Sequence, residues 1–285
     1  MPELPEVETI RRQLASVIVS KRVCEIQVLG SRVVRRRGLG DLNESLGAGV
    51  VEVLRVGKFL LVVFQDRSGL AMHLGMSGRL QFIPATQTAS SSQPHLRLVV
   101  VFFDGSRMEF IDPRTFGQVF RVDAIQISRP YAAGLEGLGV DLLAPTQEIV
   151  DWSVDHFSKT SRSVKSFLLD QRWIAGLGNM YVDETLFRTG VHPGARCADL
   201  GYWGLERLVT AAKRVVRESI ACGGSTFRDR SYRNLEGEGS YYGNLLVYQR
   251  HGRPCLLCYH TVERVRYQGR YSHFCSRCQR GRVEA

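Results

Sequence analysis

The chain has 285 residues, with 38 Lys plus Arg against 28 Asp plus Glu, and 7 Cys. Apolar residues at 44% and charged residues at 23% exclude wholesale disorder, and the length suits one large or two small domains with a sizeable core. No apolar run approaches the roughly 18 residues that span a bilayer, and the acidic opening MPELPEVETIRR lacks an apolar signal core, so a cytoplasmic protein with no membrane partner is expected.

In chain order, Val7, Ile10, Leu14, Val17 and Ile18 fall at helical spacing and predict a helix from Glu6 to Ile18, with Pro5 and Glu6 suited to its first turn. Short strands are expected at Val23–Leu29, Val50–Val56, Phe59–Phe64, Leu70–Leu74, Leu96–Phe103 and Arg107–Ile111, with Asp104-Gly105 as a hairpin turn. Strands this short and this closely spaced suggest a sandwich. The polar stretch 86–94, TQTASSSQP, reads as a loop. From about Pro145 the pattern becomes helical, at Gln147–Phe157, Val164–Asp170, Met180–Arg188 and Tyr202–Ala221.

Between the second and third of these helices runs a glycine-rich turn from Ile174 to Asn179, with Asn179 read as the helix cap. Free backbone N–H groups and a positive dipole end there suit a phosphate, although an ordinary helix connection has the same spacing. The stretch 223–244, rich in Gly, Ser, Tyr and Arg, is long enough to be a functional loop. The fold class is therefore α+β. A helix and β-sandwich occupy 1–135, a helical region with this loop 136–244, and a small cysteine module 245–285.

Four of the seven cysteines form Cys255-x2-Cys258 and Cys275-x2-Cys278, sixteen residues apart. Two such pairs on tight turns present four thiolates to one tetrahedral structural Zn²⁺. The segment between them alternates apolar and basic side chains around Gly269 and reads as a hairpin too small to hold its own core, so metal would supply its folding energy. Disulfides are the alternative, disfavoured in a reducing compartment. Cys24, Cys197 and Cys222 read as small buried hydrophobes.

The net charge of +10 is carried by 33 Arg and only five Lys, at 21, 58, 159, 165 and 213. Residues 250–285 hold eight Arg and two Glu, a local excess of six. A one-signed field on one module suggests a polyanionic partner, with most of the arginines serving non-specific grip. An arginine-rich composition used for solvated faces would look similar.

Several residues have the chemistry of a reactive site. Removal of Met1 would leave Pro2 as a secondary amine, partly unprotonated near neutrality and able to attack an aldehyde carbon. Glu3 beside it suits a general acid or base, although Pro and Glu are also ordinary helix-start residues. Lys58 is a scarce titratable amine in an apolar strand region, where a snorkelling lysine is the alternative. Met76, Arg114 and Phe116 lie on glycine-flanked loops, from which exposed side chains can wedge into a base stack; core packing is the usual fate of Met and Phe.

Taken together, MPELPEVET, RVGKFLL, HLGMSGRL, DPRTFG, GLGNMYVDE, CGGSTFRD and the terminal HFCSRCQ occur in order from residue 1 to about residue 280. In this the chain resembles formamidopyrimidine-DNA glycosylase, the bacterial base-excision repair enzyme for oxidised purines. The resemblance implies a helix–two-turn–helix domain, a zinc-ribbon hairpin, and a monomeric, nucleoid-associated enzyme whose partner is double-stranded DNA with oxidised bases or abasic sites. It implies Pro2 as the nucleophile at the sugar C1′, Glu3 as the acid that protonates the opening sugar with Glu6 assisting, and Lys58 as the proton donor in β-elimination. Arg270 matches the arginine that grips phosphate and serves δ-elimination.

Asn179 would hold phosphate, Met76, Arg114 and Phe116 would intercalate, and Arg114 would face the orphaned cytosine. His95, Lys165 and Arg162 match phosphate or lesion-side contacts. Arg228 falls where the family often has Lys, on a loop that would close over the flipped base. The related endonuclease VIII branch, specific for oxidised pyrimidines, typically opens PEGPE, and Leu4 with the Met/Arg/Phe set favours the purine branch. A non-catalytic damaged-DNA binder would have no need of Pro2, Glu3 and Lys58 together.

Overall fold

The structure is a computed structural model that describes residues 2–34, 41–87, 93–123, 125, 135–227, 229, 232–267 and 269–280. It divides into two compact units, Met1–Glu136 with Ile220–Tyr242, and Gly137–Ser219 with Gly243–Ala285.

The first unit opens with α1 (Leu4–Ile18), whose Val7, Ile10, Leu14 and Ile18 form one buried stripe, as the apolar spacing predicts. Eight strands follow: β1 (Val23–Val28), β2 (Val50–Val56), β3 (Phe59–Phe64), β4 (Gly69–His73), β5 (Arg79–Ile83), β6 (Leu96–Phe102), β7 (Arg107–Ile111) and β8 (Gln118–Val122). They form two four-stranded antiparallel sheets in the orders β1-β6-β7-β5 and β2-β3-β4-β8. One continuous apolar core joins α1 to residues of both sheets, among them Val53, Leu60, Met72, Leu98, Phe102 and Phe110. This is the α+β sandwich expected from the strand spacing.

The two strands of this unit absent from the expectation, β5 and β8, are sheet edges. Each has five residues with polar positions interleaved, so neither carries the apolar run that marks a central strand. Most of the 86–94 stretch lies outside the described residues.

The segment 220–242 makes its contacts within the first unit. The cause is visible on α1: the Glu6 carboxylate accepts from Ser225 N at 2.9 Å and Gln13 Oε1 accepts from Leu235 N at 3.0 Å.

The second unit contains a short parallel pair, β9 (Val140–Asp141) and β10 (Ile174–Ala175), and the helices α2 (Thr146–Lys159), α3 (Val164–Leu168), α4 (Asn179–Thr189) and α5 (Gly201–Ala221). The C-terminal hairpin is β11 (Glu263–Tyr267) paired antiparallel with β12 (Arg270–Phe274). The cap of α4 is Gly178, with Asn179 as its first helical residue, a correction of one position to the expected cap. Among the described residues no helix is long and apolar enough to cross a membrane.

Candidate active site and nucleic-acid interface

In the first unit, Pro2 is buried, and Glu3 and Glu6 are 3% and 1% exposed. Glu3 and Glu6 cap α1 reciprocally, with Glu3 N donating to Glu6 Oε2 at 2.9 Å. The other Glu6 oxygen accepts from Ser225 N. Gly224 adopts φ +85, and a Cβ there would lie 3.0 Å from the Tyr232 ring and 3.2 Å from Glu6 Cγ, so only glycine fits. The Tyr232 hydroxyl donates to Gly223 O at 3.0 Å. Burial first, and the nearby Glu6 charge second, push its phenol far above the ordinary range. One carboxylate thus ties the amino terminus to the start of the Gly-Gly loop. Arg228, farther along that loop, lies outside the described residues.

Lys58 is 9% exposed and sits in the turn between β2 and β3, not within a strand. The preceding residue is held from α1: Glu8 accepts from Arg55 Nε at 3.1 Å, and Arg55 donates to Gly57 O at 2.9 Å. Arg11 and Arg12 also bond Glu8, and together these arginines outweigh burial and hold its carboxyl below the usual range.

His73, at the end of β4, accepts from Gly75 N through Nδ1 at 3.0 Å. Burial, and then the Lys58 charge, hold its pKa at about 4. The ring is therefore neutral at physiological pH. Between about pH 6.5 and about pH 4 the unfolded chain takes up a proton that the folded chain refuses, so stability falls as pH drops through that window. His73→Asn, whose carbonyl keeps an acceptor for Gly75 N, should flatten the acid limb of the melting-temperature profile. An NMR titration midpoint for His73 near the free-imidazole value would refute the neutral ring.

Met76, Arg114 and Phe116 are carried on two loops that meet backbone to backbone. A Cβ on Gly75 would lie 2.6 Å from the Phe116 carbonyl carbon, and Gly75 has φ +62. The buried Asp112 organises both loops. It accepts from Ser77 Oγ at 2.7 Å, from Gly117 N at 2.8 Å and from Arg114 N at 3.2 Å. Met76 is 40% exposed, Phe116 is 49% exposed, and the Arg114 guanidinium lies 4.9 Å from the Phe116 ring. Exposed apolar side chains carried on a braced base have the form of a wedge. His95 is exposed at φ 64, and its carbonyl accepts from Asp112 N at 2.9 Å. Asp112 was missed as a site residue because its role is made by tertiary hydrogen bonds.

In the second unit, Asn179 Nδ2 donates to Tyr271 O at 2.9 Å, and Arg270 is exposed on the adjacent hairpin position. Arg162 is half-buried and donates to Asp170 at 2.8 Å and to Ser166 O at 3.0 Å, which leaves it at the edge of a shallow hollow shared with Arg270. Its neighbour Arg172 is the main cause that drives the Asp170 carboxyl well below the usual range. Lys165 lines the same hollow. It is 1% exposed and bonds Asp183 Oδ1 at 2.7 Å and Tyr271 O at 2.9 Å.

The cysteine cluster assembles as the spacing requires. The Sγ atoms of Cys255, Cys258, Cys275 and Cys278 lie within 4.8 Å of one another, with Cys258 and Cys275 3.4 Å apart and Cys255 and Cys278 3.9 Å apart. A disulfide would need about 2.05 Å, whereas tetrahedral thiolates on zinc at about 2.3 Å sit roughly 3.8 Å from each other. The four residues therefore fit a metal, and the disulfide alternative fails. Of the other cysteines, Cys197 is buried as expected, Cys222 is half-buried and Cys24 is exposed, so the latter two are corrected.

Among the described residues, at least eleven of the 33 arginines (11, 12, 55, 107, 121, 162, 172, 188, 196, 214 and 233) form internal ion pairs.

Two family models match the chain: the formamidopyrimidine-DNA glycosylase N-terminal domain over residues 1–119, and the formamidopyrimidine-DNA glycosylase H2TH domain over residues 138–231. The chain belongs to the formamidopyrimidine-DNA glycosylase family. A formamidopyrimidine-DNA glycosylase of Trichormus variabilis is 36% identical over 282 residues, covering 98% of this chain and all of its own. The crystal structure of the MutM (Fpg) protein of Thermus thermophilus superposes with a TM-score of 0.84 at 34% identity, covering 98% of each chain. The Lactococcus lactis Fpg, solved in complex with abasic-site DNA, gives 0.83 at 27% identity, covering 98% of this chain and 99% of that one. Membership makes this chain a DNA-repair glycosylase of the zinc-finger type, the class the motifs implied.

Proposed function

We propose that this glycosylase is bifunctional, excising oxidised purines such as 8-oxoguanine and formamidopyrimidines from double-stranded DNA and then cleaving the strand at the abasic site. In this reading it acts as a monomer on nucleoid DNA in the cytoplasm. The observation that carries the reading is the Pro2–Glu3 terminus, buried and tied by Glu6 to the Gly223–Ser225 turn.

The Pro2 nitrogen lone pair forms a bond to C1′ as the bond from C1′ to the base breaks, and the proton the nitrogen then sheds leaves with the base. Glu3 gives a proton to the ring oxygen, and the sugar opens as an iminium. The cationic nitrogen draws electrons from C1′, so a C2′ proton becomes acidic and passes to the Glu3 carboxylate, left ionised by the preceding step, as the C3′–O bond breaks. Lys58 gives its proton to the departing 3′ phosphate oxygen, Arg270 holds phosphate while the second C–O bond breaks, and water releases Pro2. Met76, Arg114 and Phe116 fill the gap left by the flipped nucleotide, and damage lowers the cost of that extrusion.

Cys255, Cys258, Cys275 and Cys278 would hold one Zn²⁺, which supplies folding energy to the module and takes no part in the chemistry. Phosphate contacts give affinity without sequence reading, so binding weakens steeply with salt.

Borohydride added during turnover on an 8-oxoguanine:C duplex should trap a covalent protein–DNA adduct, and absence of the adduct from an active preparation would sink the mechanism. Faster excision from a thymine-glycol:A duplex would move the chain to the pyrimidine branch. Lys58→Gln should slow strand scission at a preformed abasic site by on the order of 10²-fold, while leaving the duplex bound. Unchanged scission would remove Lys58 from the reaction.

A further inference from the structure

The two-stranded sheet leaves β12 one open edge, on which every N–H and C=O needs a partner. Tyr271 O and His273 N stand two residues apart and therefore lie on the same edge of the strand. Side chains of α3 and α4 meet them with matched polarity. The carbonyl accepts from Lys165 Nζ at 2.9 Å and from Asn179 Nδ2 at 2.9 Å, and the amide donates to Asp183 Oδ2 at 2.9 Å. Asp183 also bonds His273 Nδ1 at 3.1 Å and, through its other oxygen, Lys165 at 2.7 Å.

The spacing is commensurate. One helical turn from Asn179 to Asp183 rises about 6 Å, and two strand residues span roughly 6.7 Å. The helix therefore stands in for a missing third strand. Lys165 and Asp183 are each 1% exposed, Lys165 lies in the wall of the hollow that Arg162 and Arg270 share, and Arg270 and Asn179 flank the carbonyl that Lys165 holds.

We propose that Lys165 and Asp183 are a positioning pair that locks β12 in register with α4, so that Arg270 and Asn179 present their donors to DNA phosphate together. Sliding β12 by two residues would put another carbonyl and amide before the same side chains, and only the register seen here leaves Arg270 beside Asn179. Lys165 itself touches no phosphate. This rests on the reading of Arg270 as the phosphate grip of the second elimination.

The test is product analysis on an abasic-site duplex, with metal content and melting temperature as fold controls. Lys165→Met and Asp183→Asn should each lower the ratio of doubly to singly eliminated ends at least tenfold, while excision of 8-oxoguanine stays within threefold. The double variant should be no worse than either single one, and neither change should matter in an Arg270→Ala background. Additive effects, or a parallel loss of excision and elimination in a protein that keeps its metal, would overturn the pairing.

Should Lys165→Met lose its metal, Asp183→Asn and amine acylation of the wild-type protein carry the test. Lys165 should stay unmodified with and without DNA, and modification of the free protein that DNA prevents would make it a direct contact and end the proposal. Wild-type protein that cannot cleave an abasic strand at all would remove the reading itself, and the inference with it. Wild-type cleavage with unchanged ratios in both variants would remove the inference alone.

Discussion

An uncleavable Gly-Ser extension ahead of Pro2 should abolish both excision and strand scission, by on the order of 10³-fold or more. The extension turns a secondary amine with a usable lone pair into an amide whose lone pair is delocalised into the carbonyl. Affinity for a duplex carrying an uncleavable abasic analogue should change far less, because Met76, Arg114, Phe116 and the basic module remain in place. Borohydride should trap no adduct, and intact mass of the active protein should show Met1 removed. Pro2→Gly restores a free amine without the pyrrolidine ring and should trap at reduced yield. An adduct at full yield from the extended protein would move the nucleophile elsewhere, with Lys58, buried in the same unit, the first place to look.

Cys258→Ser should cost the protein its zinc and, with it, the fold of the C-terminal module. Structural zinc contributes about 10–16 kcal/mol of apparent binding energy to small modules. The apolar cluster below the cysteines, Phe187, Val247 and Val262, is too small to replace that contribution. Metal content should fall from one equivalent to near none, and amide signals from 262–280 should collapse towards random-coil shifts while those of the sandwich persist. Loss of Arg270 and its basic neighbours should weaken DNA binding by on the order of 100-fold and reduce the slope of affinity against salt by one or more phosphate contacts. A zinc-free variant that binds with the original slope would mean that the module does not engage the backbone.

Much of the fold was legible because its signals are local. The α1 stripe, the strands β1, β2, β3, β4, β6 and β7, and the helices α2, α3, α4 and α5 carry apolar signals of their own, and all appear within a few residues of expectation. The cysteine pairs carry their geometry in their spacing. Strands β5 and β8 were not legible, because each has only five residues with polar positions interleaved and so lacks an apolar run. The contacts of 220–242 within the first unit were hidden for a different reason, since Gln13 and Glu6 meet that segment from more than 200 residues away in sequence.

The candidate site divides along the same line. By itself the sequence determined which groups are the candidates: a proline that becomes an amine on removal of Met1, a scarce lysine, a set of loop residues suited to a wedge, and four thiolates at zinc spacing. These follow from residue identity and short spacings, which survive without a fold. Only the tertiary structure decided which charges are available. Glu8 absorbs three arginines, Asp112 braces the wedge loops, and Lys165, which resembled a DNA contact in the sequence, is spent on Asp183 and an open strand edge. The physical reason is that a buried charge must find its partner wherever the chain brings one, and that partner is set by packing across the fold.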